Sequence, residues 1–518
     1  MQQPPNTKIE FNEEFSQALK IMESTGCHVF ITGRAGTGKS TLLDYFRNTT
    51  KKQVAVLAPT GVAAVNVGGQ TIHSFFKFKP DITIGKVKKT KWDAELYSGI
   101  DAILIDEASM VRADLLDCVD KFLRLNARKK NTPFGGVQMI FIGDLHQLAP
   151  VVSGRDAGNP LELYDSPYFF DSKSFRKINP EFVELQKIYR QKDDRFIGLL
   201  NAIRINRTND ADFRLLNTRV SAVSQPAADS GFVTLTTTNK AAEEVNAMQL
   251  EQLPGKCFSY KGAVKGNFDR AGLPTEIDLR LKVGARVMLL NNDADLRWVN
   301  GTMGTIGHCD GSGGIEVAID NGEKERVIPY KWDCFNYFFN EKTRFVDSKV
   351  VGSFTQYPLK LAWAVTIHKS QGKTFDRVFI DLGAGTFAPG QVYVALSRCR
   401  TLEGVHLKKK VEKRHIFTDW RAAKFISGCH YRKSEEKMPL ENKIALLRKA
   451  AEEKRKVRII YLKTDGSRSV RDILPREVGE MEYSEKRYLA VCGYCFLREE
   501  ERTFRVDRIL EIKEAKGK

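Results

Sequence analysis

Short apolar runs alternate with helix-length amphipathic segments from Cys27 to about Glu184. Val29-Phe30-Ile31, Val54-Ala55-Val56-Leu57, Ile103-Leu104-Ile105 and Met139-Ile140-Phe141-Ile142 are apolar throughout rather than alternating. That pattern predicts parallel strands buried on both faces. Each run ends in a polar cluster, where such sheets bind ligands. A second pattern of this kind runs from about Phe232 to Asn267 and resumes from about Phe354 to Phe417. Between them, from about Val283 to Val350, short runs such as Val287-Met288-Leu289-Leu290 and Glu316-Val317-Ala318-Ile319 are separated by Asn-Gly and Asp-Gly turn signals. A small β-barrel inserted into the second sheet domain is expected. Ser427 to Asn442 is polar and mixed in charge, and reads as a linker. Lys443 to Lys456 reads as a short basic helix, and Val457 to Lys513 as a separate strand-rich domain.

Composition narrows the partners. The 518 residues suit two to four domains, and 82 Lys and Arg against 64 Asp and Glu leave a formal charge of +18. A surplus of this size favours a polyanion, with nucleic acid first and a membrane surface second. No long apolar span or cleavable signal is present, so no membrane partner is expected. Met1 to Asn6 is polar and expected to fray. Nine cysteines scattered through apolar runs suit a reducing compartment. Cys492-x-x-Cys495 has no second pair and reads as core thiols rather than a zinc site.

Gly33-Arg34-Ala35-Gly36-Thr37-Gly38-Lys39-Ser40 fits the phosphate-loop pattern at every fixed position, with a strand run before it and a helix pattern opening at Ser40-Thr41. Its backbone N–H groups would wrap a triphosphate at a helix N-terminus. Lys39 would reach the β and γ phosphates, and the Ser40 hydroxyl would ligate Mg2+. Asp106-Glu107 closes the strand at Ile105. Adjacent carboxylates there can divide two roles, Asp106 on magnesium and Glu107 on the attacking water. Gln147, in Gly143-Asp144-Leu145-His146-Gln147-Leu148-Ala149-Pro150, can sense the γ-phosphate or be a polar turn residue. Ala58-Pro59-Thr60-Gly61 and Gln70-Thr71-Ile72-His73-Ser74-Phe75-Phe76 offer hydroxyls and aromatics suited to a single strand with stacked bases. Phe75 and Phe76 could equally be core.

This series resembles the superfamily I helicase motifs. Pro133-Phe134-Gly135-Gly136-Val137-Gln138 and Asp106-Glu107-Ala108-Ser109-Met110-Val111, with Leu115-Leu116-Asp117 after it, resemble signatures of the Pif (petite integration frequency) DNA helicases. The resemblance covers about Phe11 to Phe417. It implies two RecA-like parallel-sheet domains with an inserted SH3-like barrel marked by Trp298-Val299-Asn300-Gly301-Thr302-Met303-Gly304. The domains would be 1–185 with a small 1B insertion, 186–282 with 351–426, and the barrel at 283–350. The linker and basic helix would occupy 427–456. It also implies that Thr366, His368 and Lys369 hold DNA phosphates and that Gln371-Gly372 faces the nucleotide. Ser370-Gln371-Gly372-Lys373-Thr374 is not a second phosphate loop, because Ile367 stands where the first Gly is required. Family matching makes Arg190 and Arg398 the cationic fingers, and adds Thr60, Gly61, His73, Ser74, Phe75, Pro150 and Asn239 as DNA contacts. The family's adenine-reading Gln falls on Phe15, with Gln17 two residues on as its substitute. Gly33, Ala35, Gly36, Thr37, Gly38, Lys39, Ser40 and Thr41 would cradle the nucleotide.

Arg502-Thr503-Phe504-Arg505-Val506-Asp507-Arg508-Ile509 is similar to the closing signature of WYL domains, with Arg487-Tyr488-Leu489 in the naming position. A second SH3-like β domain at 457–513 is implied, in a family associated with nucleic-acid or nucleotide sensing. Strand alternation puts Thr503, Arg505 and Asp507 on one face, so Arg505 is a candidate phosphate contact, or else part of an Arg–Asp surface lattice. The expected activity is ATP-dependent 5′-to-3′ translocation on single-stranded DNA and unwinding of forked or structured duplex. The expected form is a monomer on DNA, in the cytoplasm at a prokaryotic or phage nucleoid. Rivals are a RecD- or Dda-like helicase, a nucleotide-dependent switch without unwinding, and a WYL sensor with a vestigial ATPase.

Overall fold

The structure is a computed structural model. It describes residues 11–515 apart from 80, 91–93, 153–162, 224, 228–230, 267, 269–272, 296, 299, 312, 321, 341–344, 464–467 and 484–485. The side chains of 62, 94, 335–340, 345–349, 483 and 486 are also outside the description. The stretch Met1 to Asn6, expected to fray, and Val299 of the barrel marker lie outside the described residues. The chain divides at Thr418–Asp419 into two compact units.

In the first unit the apolar runs form a six-stranded parallel sheet. Its order is Gln70–Thr71, Val54–Ala58, Ala102–Ile105, Gln138–Ile142, Val29–Gly33 and Glu181–Leu185. Four of these strands are almost wholly buried because helices cover both faces. The helix Glu13–Ser24 starts where Asn12 accepts a hydrogen bond from the Phe15 N–H, and it buries Phe15, Ala18 and Met22 along one stripe. The helix Lys39–Thr49 covers the same side with Leu42, Leu43 and Phe46.

A second parallel sheet follows, ordered Ala364–Thr366, Val233–Thr236, Val378–Asp381, Val405–Leu407. Its hydrophobic core takes in Ala35 and Leu148 of the first lobe. The antiparallel insert has five strands ordered Lys324–Val327, Ile315–Ile319, Met303–Cys309, Arg286–Leu289 and Leu359–Leu361. It has its own core around Val287, Trp298, Ile306 and Val317. Strand structure extends past the expected 283–350. Phe258–Lys261 and Asp278–Leu281 pair with each other and bury Tyr260, Leu279 and Leu281 in that core, while Leu359–Leu361 closes the sheet. A hairpin, Tyr330–Asn340 with Phe345–Gln356, adds a third strand at Ala263–Gly266.

The second unit corrects the expected linker. Residues 427–442 are mostly helix, within Trp420–Lys437 and the start of Leu440–Glu452. Ala422, Ile426, Cys429, His430 and Ser434 are buried at helical spacing, but two of the five are polar and their flanks are charged, so no apolar stripe is visible in the sequence. A five-stranded antiparallel sheet follows, ordered Glu500–Arg505, Lys486–Cys495, Arg468–Tyr483, Val457–Leu462, Ile509–Glu514. Its core, with Ile459, Val491, Phe504 and Ile509, also takes Leu447 and Ala450 from the second helix. Among the described residues no helix is long and apolar enough to cross a membrane, and no group of three or more His, Cys, Asp or Glu could hold a metal.

Candidate active site

The phosphate loop leaves the end of Val29–Gly33 and turns into the helix Lys39–Thr49. Gly38 is the N-cap at φ 86°, without a side-chain cap, so the first N–H groups of the helix face the loop. Gly36 has φ 80°, and a Cβ there would stand 2.5 Å from the Cβ of Arg190. Only glycine permits that crossing. Lys39 Nζ donates to the Gly33 and Arg34 carbonyls at 2.8 and 2.9 Å. Burial lowers its pKa, against the pull of Asp144 and Glu107.

Asp106 and Glu107 end the strand Ala102–Ile105, and Glu107 is held in the left-handed region at φ 48°. Burial raises both carboxyl pKa values, and the charge of Glu107 raises that of Asp106 further. Gln147 is buried, with Nε2 3.4 Å from Asp144 Oδ2. From the second lobe, the helix Gln391–Ser397 delivers Arg398, which is 1% exposed. Its Nε donates to the Val394 carbonyl at 3.0 Å and its Nη2 to Ser397 Oγ at 2.8 Å. Arg190 Nη1 donates to the Ser397 carbonyl at 3.2 Å. Burial lowers the pKa of both guanidinium groups, and that of Arg398 is lowered next by Arg190. The loop from Ala35 to Thr41, Glu107, Gln147, Arg190, Gly372 and Arg398 line one cleft of about 1790 Å3. These residues therefore converge, with buried Arg398 and half-buried Arg190 facing a phosphate loop; Gly33 and Asp106 are not among the lining residues.

Gln17 lies outside the cleft lining as well, whereas Phe15, Asp44 and Tyr45 are part of it. Two residues along a helix turn the side chain by about 200°, away from Phe15. Ser370–Thr374 forms a turn with no helix after it, which accords with its exclusion as a phosphate loop.

The expected DNA residues divide. Thr60 caps the short helix Gly61–Asn66 by accepting from the Ala63 N–H. His73 is half-buried and Ser74 exposed on the turn Ile72–Phe75. Asn239 opens the helix Asn239–Gln252 and is exposed. Thr366 is buried, and its hydroxyl accepts from the Lys369 N–H at 3.2 Å. Lys369 is exposed, and the His368 ring lies 6.2 Å from that of Phe387, nearly parallel at 13°. Phe387, which is 62% exposed, was not singled out by any motif. Phe75 is core: it is 1% exposed and packs edge-on against Phe76 and Tyr97, so no base can stack on it. Pro150 is also buried, and Val151 beside it is 69% exposed. In the second unit the strand ends at Arg505 and a 3-10 turn, Val506–Arg508, follows, so the expected alternation stops there. Arg505 donates to both carboxylate oxygens of Asp507, at 3.0 and 2.5 Å, as in the lattice alternative.

A network between the lobes escaped the sequence. The Tyr393 hydroxyl accepts from the Ala35 N–H at 3.0 Å and donates to Asp144 Oδ2 at 3.2 Å. Arg204 Nη2 donates to the other Asp144 oxygen at 3.1 Å. Burial opposes ionisation of Asp144, yet Arg204 and then Lys39 hold its pKa well below the usual carboxylate range. Gly390 presses on the same segment: a Cβ there would stand 2.4 Å from the His146 carbonyl. The signal available was the Asp of Gly143-Asp144, but its partners lie 60 and 249 residues away. Tyr393→Phe leaves the Ala35 N–H unpaired, a loss of about 1–3 kcal/mol for a buried donor. A lower thermal midpoint of the nucleotide-free protein is expected. An unchanged midpoint would mean that the hydroxyl carries no load between the lobes.

Residues 10–212 match the model of PIF1-like helicases and residues 442–514 that of the WYL domain. The human ATP-dependent DNA helicase PIF1 is 35% identical over 418 residues, covering 78% of this chain and 61% of its own length. The chain thus spans about three-fifths of that vertebrate relative. The Pif1 helicase of Bdellovibrio bacteriovorus is 32% identical, covering 78% of this chain and 89% of its own length. The crystal structure of Bacteroides sp Pif1 in complex with ADP-AlF4 is 36% identical, with a TM-score of 0.73 over 81% of this chain and 96% of that one. A nucleotide cleft built between two parallel sheets, together with these matches, establishes that the chain belongs to the PIF1-like helicase family and carries a C-terminal WYL domain.

Proposed function

We propose that this protein is an ATP-dependent DNA helicase that moves 5′ to 3′ on single-stranded DNA and unwinds forked or structured duplex, acting as a monomer. The observation that carries the reading is the composite cleft: a phosphate loop and Glu107 on one lobe, facing Arg398 from the other. The naming of the human relative as an ATP-dependent DNA helicase, and the ADP-AlF4 held by the Bacteroides relative, support it.

In this reading residues 1–185 form the first RecA-like domain, and 186–257 with 362–418 the second. The antiparallel part between them is an SH3-like domain, and the WYL domain is a second such barrel. The loop from Gly33 to Thr41 binds the triphosphate, and Lys39 exchanges its two carbonyl partners for phosphate oxygens. Ser40 and Asp106 fit a magnesium ion, since they are hard oxygen donors and the strained carboxylate pair would be relieved by a divalent cation. Bound there, it would neutralise charge on the β and γ phosphates. Glu107 orients the attacking water, Gln147 responds to the γ-phosphate, and Arg190 with Arg398 offsets charge that develops in transfer. Thr60, Gly61, His73, Ser74, Asn239, His368 and Lys369 track the strand, Thr366 fixing the turn that carries the last two.

Duplexes with a 5′ or a 3′ single-stranded tail, incubated with and without ATP, test this directly. ATP-dependent unwinding of the 5′-tailed substrate is expected. ATP hydrolysis indifferent to DNA would sink the helicase reading in favour of a nucleotide switch. Removing the chain after Thr418 is expected to weaken DNA affinity and flatten its salt dependence if the WYL domain contacts phosphates. An unchanged salt slope in a titration of single-stranded DNA would make that domain a platform for another ligand.

A further inference from the structure

Three lysines share a second cavity, of about 310 Å3, which the motifs do not explain. Lys360 sits on the strand Leu359–Leu361, and Lys369 and Lys373 lie on the turn after Ala364–Thr366. Lys360 and Lys369 line it together, and burial and then the charge of Lys369 lower the pKa of Lys360. Like charges gathered around one cavity repel, and an anion among them would relieve that repulsion. Lys373 is half-buried and its Nζ rests 2.9 Å from Met288 Sδ, a weak acceptor. Among the described residues no carboxylate lies within 4.0 Å of any of the three ammonium groups; Glu243 and Glu276, which line the same cavity, act on Lys360 from farther off, and Arg280 is a fourth cation in the lining. Burial lowers the pKa of both Lys360 and Lys373, and the neighbouring lysine lowers each further, Lys373 to about 8. Three lysines and Arg280 against these two glutamates leave the cavity lining net positive, which favours an anion.

We propose that Lys360 and Lys373 complete, around Lys369, a phosphate-binding site whose occupant is a phosphodiester of the DNA strand. The proposal rests on the helicase reading and extends it to residues outside the DNA-contact motifs. Two features favour DNA over a free anion. Asn239 and Thr366 line the same cavity, so it continues the proposed path of the strand. It also shares a wall with the nucleotide cleft: Asn66 and Asn300, hydrogen-bonded at 3.1 Å, line both. Lys373 directly follows Gly372, which lines the nucleotide cleft. A phosphodiester held here is one residue from the ATP site, so closure of the cleft would change the grip on the strand.

The test is the salt dependence of binding of a fluorescent oligo-dT to the full chain, compared with Lys360→Met and Lys373→Met. Methionine keeps the length of the side chain and removes the charge. Each variant should lower the slope of log affinity against log salt by about 0.7. Lys360→Arg and Lys373→Arg should keep the wild-type slope, and thermal midpoints identify any variant that fails to fold. Slopes equal to wild type in both Met variants would overturn the proposal. Inorganic phosphate at constant ionic strength separates the sources: stabilisation of wild type that both Met variants lose, with DNA slopes unchanged, would assign the site to free phosphate and overturn the DNA assignment. Wild-type protein with no salt-dependent binding of the strand would bring down the helicase reading itself, and this site with it.

Discussion

Arg398→Ala is expected to bind ATP nearly as well as the parent chain and to lose about a thousandfold or more of its DNA-stimulated turnover. The guanidinium is fully buried and anchored to the Val394 carbonyl and Ser397 Oγ, so its position is fixed before nucleotide enters. It lies beside a second cation, Arg190, which lowers its pKa, and is offset in part by Glu107. A buried cation with so little compensation favours whatever brings negative charge into the cleft, most of all the charge that develops during transfer. Ground-state binding depends instead on the loop and Lys39, on the opposite lobe. Arg398→Lys should also fail, because a point charge cannot reproduce the planar fork that holds Ser397 and points into the cleft. Equilibrium binding of a fluorescent ATP analogue, alongside steady-state turnover, separates the two quantities. Turnover within about tenfold of wild type would remove Arg398 from the chemistry.

The parallel strands and most of the residues that line the cleft were legible because both are local. A continuous apolar run ending in Gly33 or Ile105 declares a buried strand and its ligand-binding end together, and the loop motif fixes each residue between them. Errors arose where burial depends on partners distant in sequence. Phe75 looked available for a base, yet Tyr97 and Phe76 close over it. The part of the helix Trp420–Lys437 from Ser427 onward reads as a linker in sequence because its buried stripe includes His430 and Ser434, which are satisfied by Arg468 and by the carbonyls of Ile509 and Leu510. Tyr393 was unreadable for the same reason: nothing in Gln391–Ser397 says that a hydroxyl will meet the phosphate loop of the other lobe. Gln17 failed on helical geometry, which sequence does specify; two residues from Phe15 was the wrong spacing for a substitute.

Lys39→Ala is expected to reduce ATP turnover by at least about a hundredfold while leaving single-stranded DNA affinity within a few-fold of wild type. Asp144, Glu107 and Asp106 all act on the ammonium group, so its loss leaves Glu107 in the cleft, and two carboxylates near it, with one fewer cation to offset them. ATP affinity should fall as well, in contrast to Arg398→Ala, because Lys39 meets the phosphates in the ground state and the transition state alike. The backbone of the loop should survive: Lys39 donates to the Gly33 and Arg34 carbonyls, but the turn itself is set by Gly36 and Gly38 and by the Leu42 N–H bonded to the Gly38 carbonyl at 2.9 Å. DNA affinity tests this separation, since the residues proposed to contact the strand lie on other turns of both lobes. If Lys39→Ala lost DNA binding and turnover together, the loop would be a structural support of the strand-binding face. If it kept turnover, the cleft would not be the hydrolytic site.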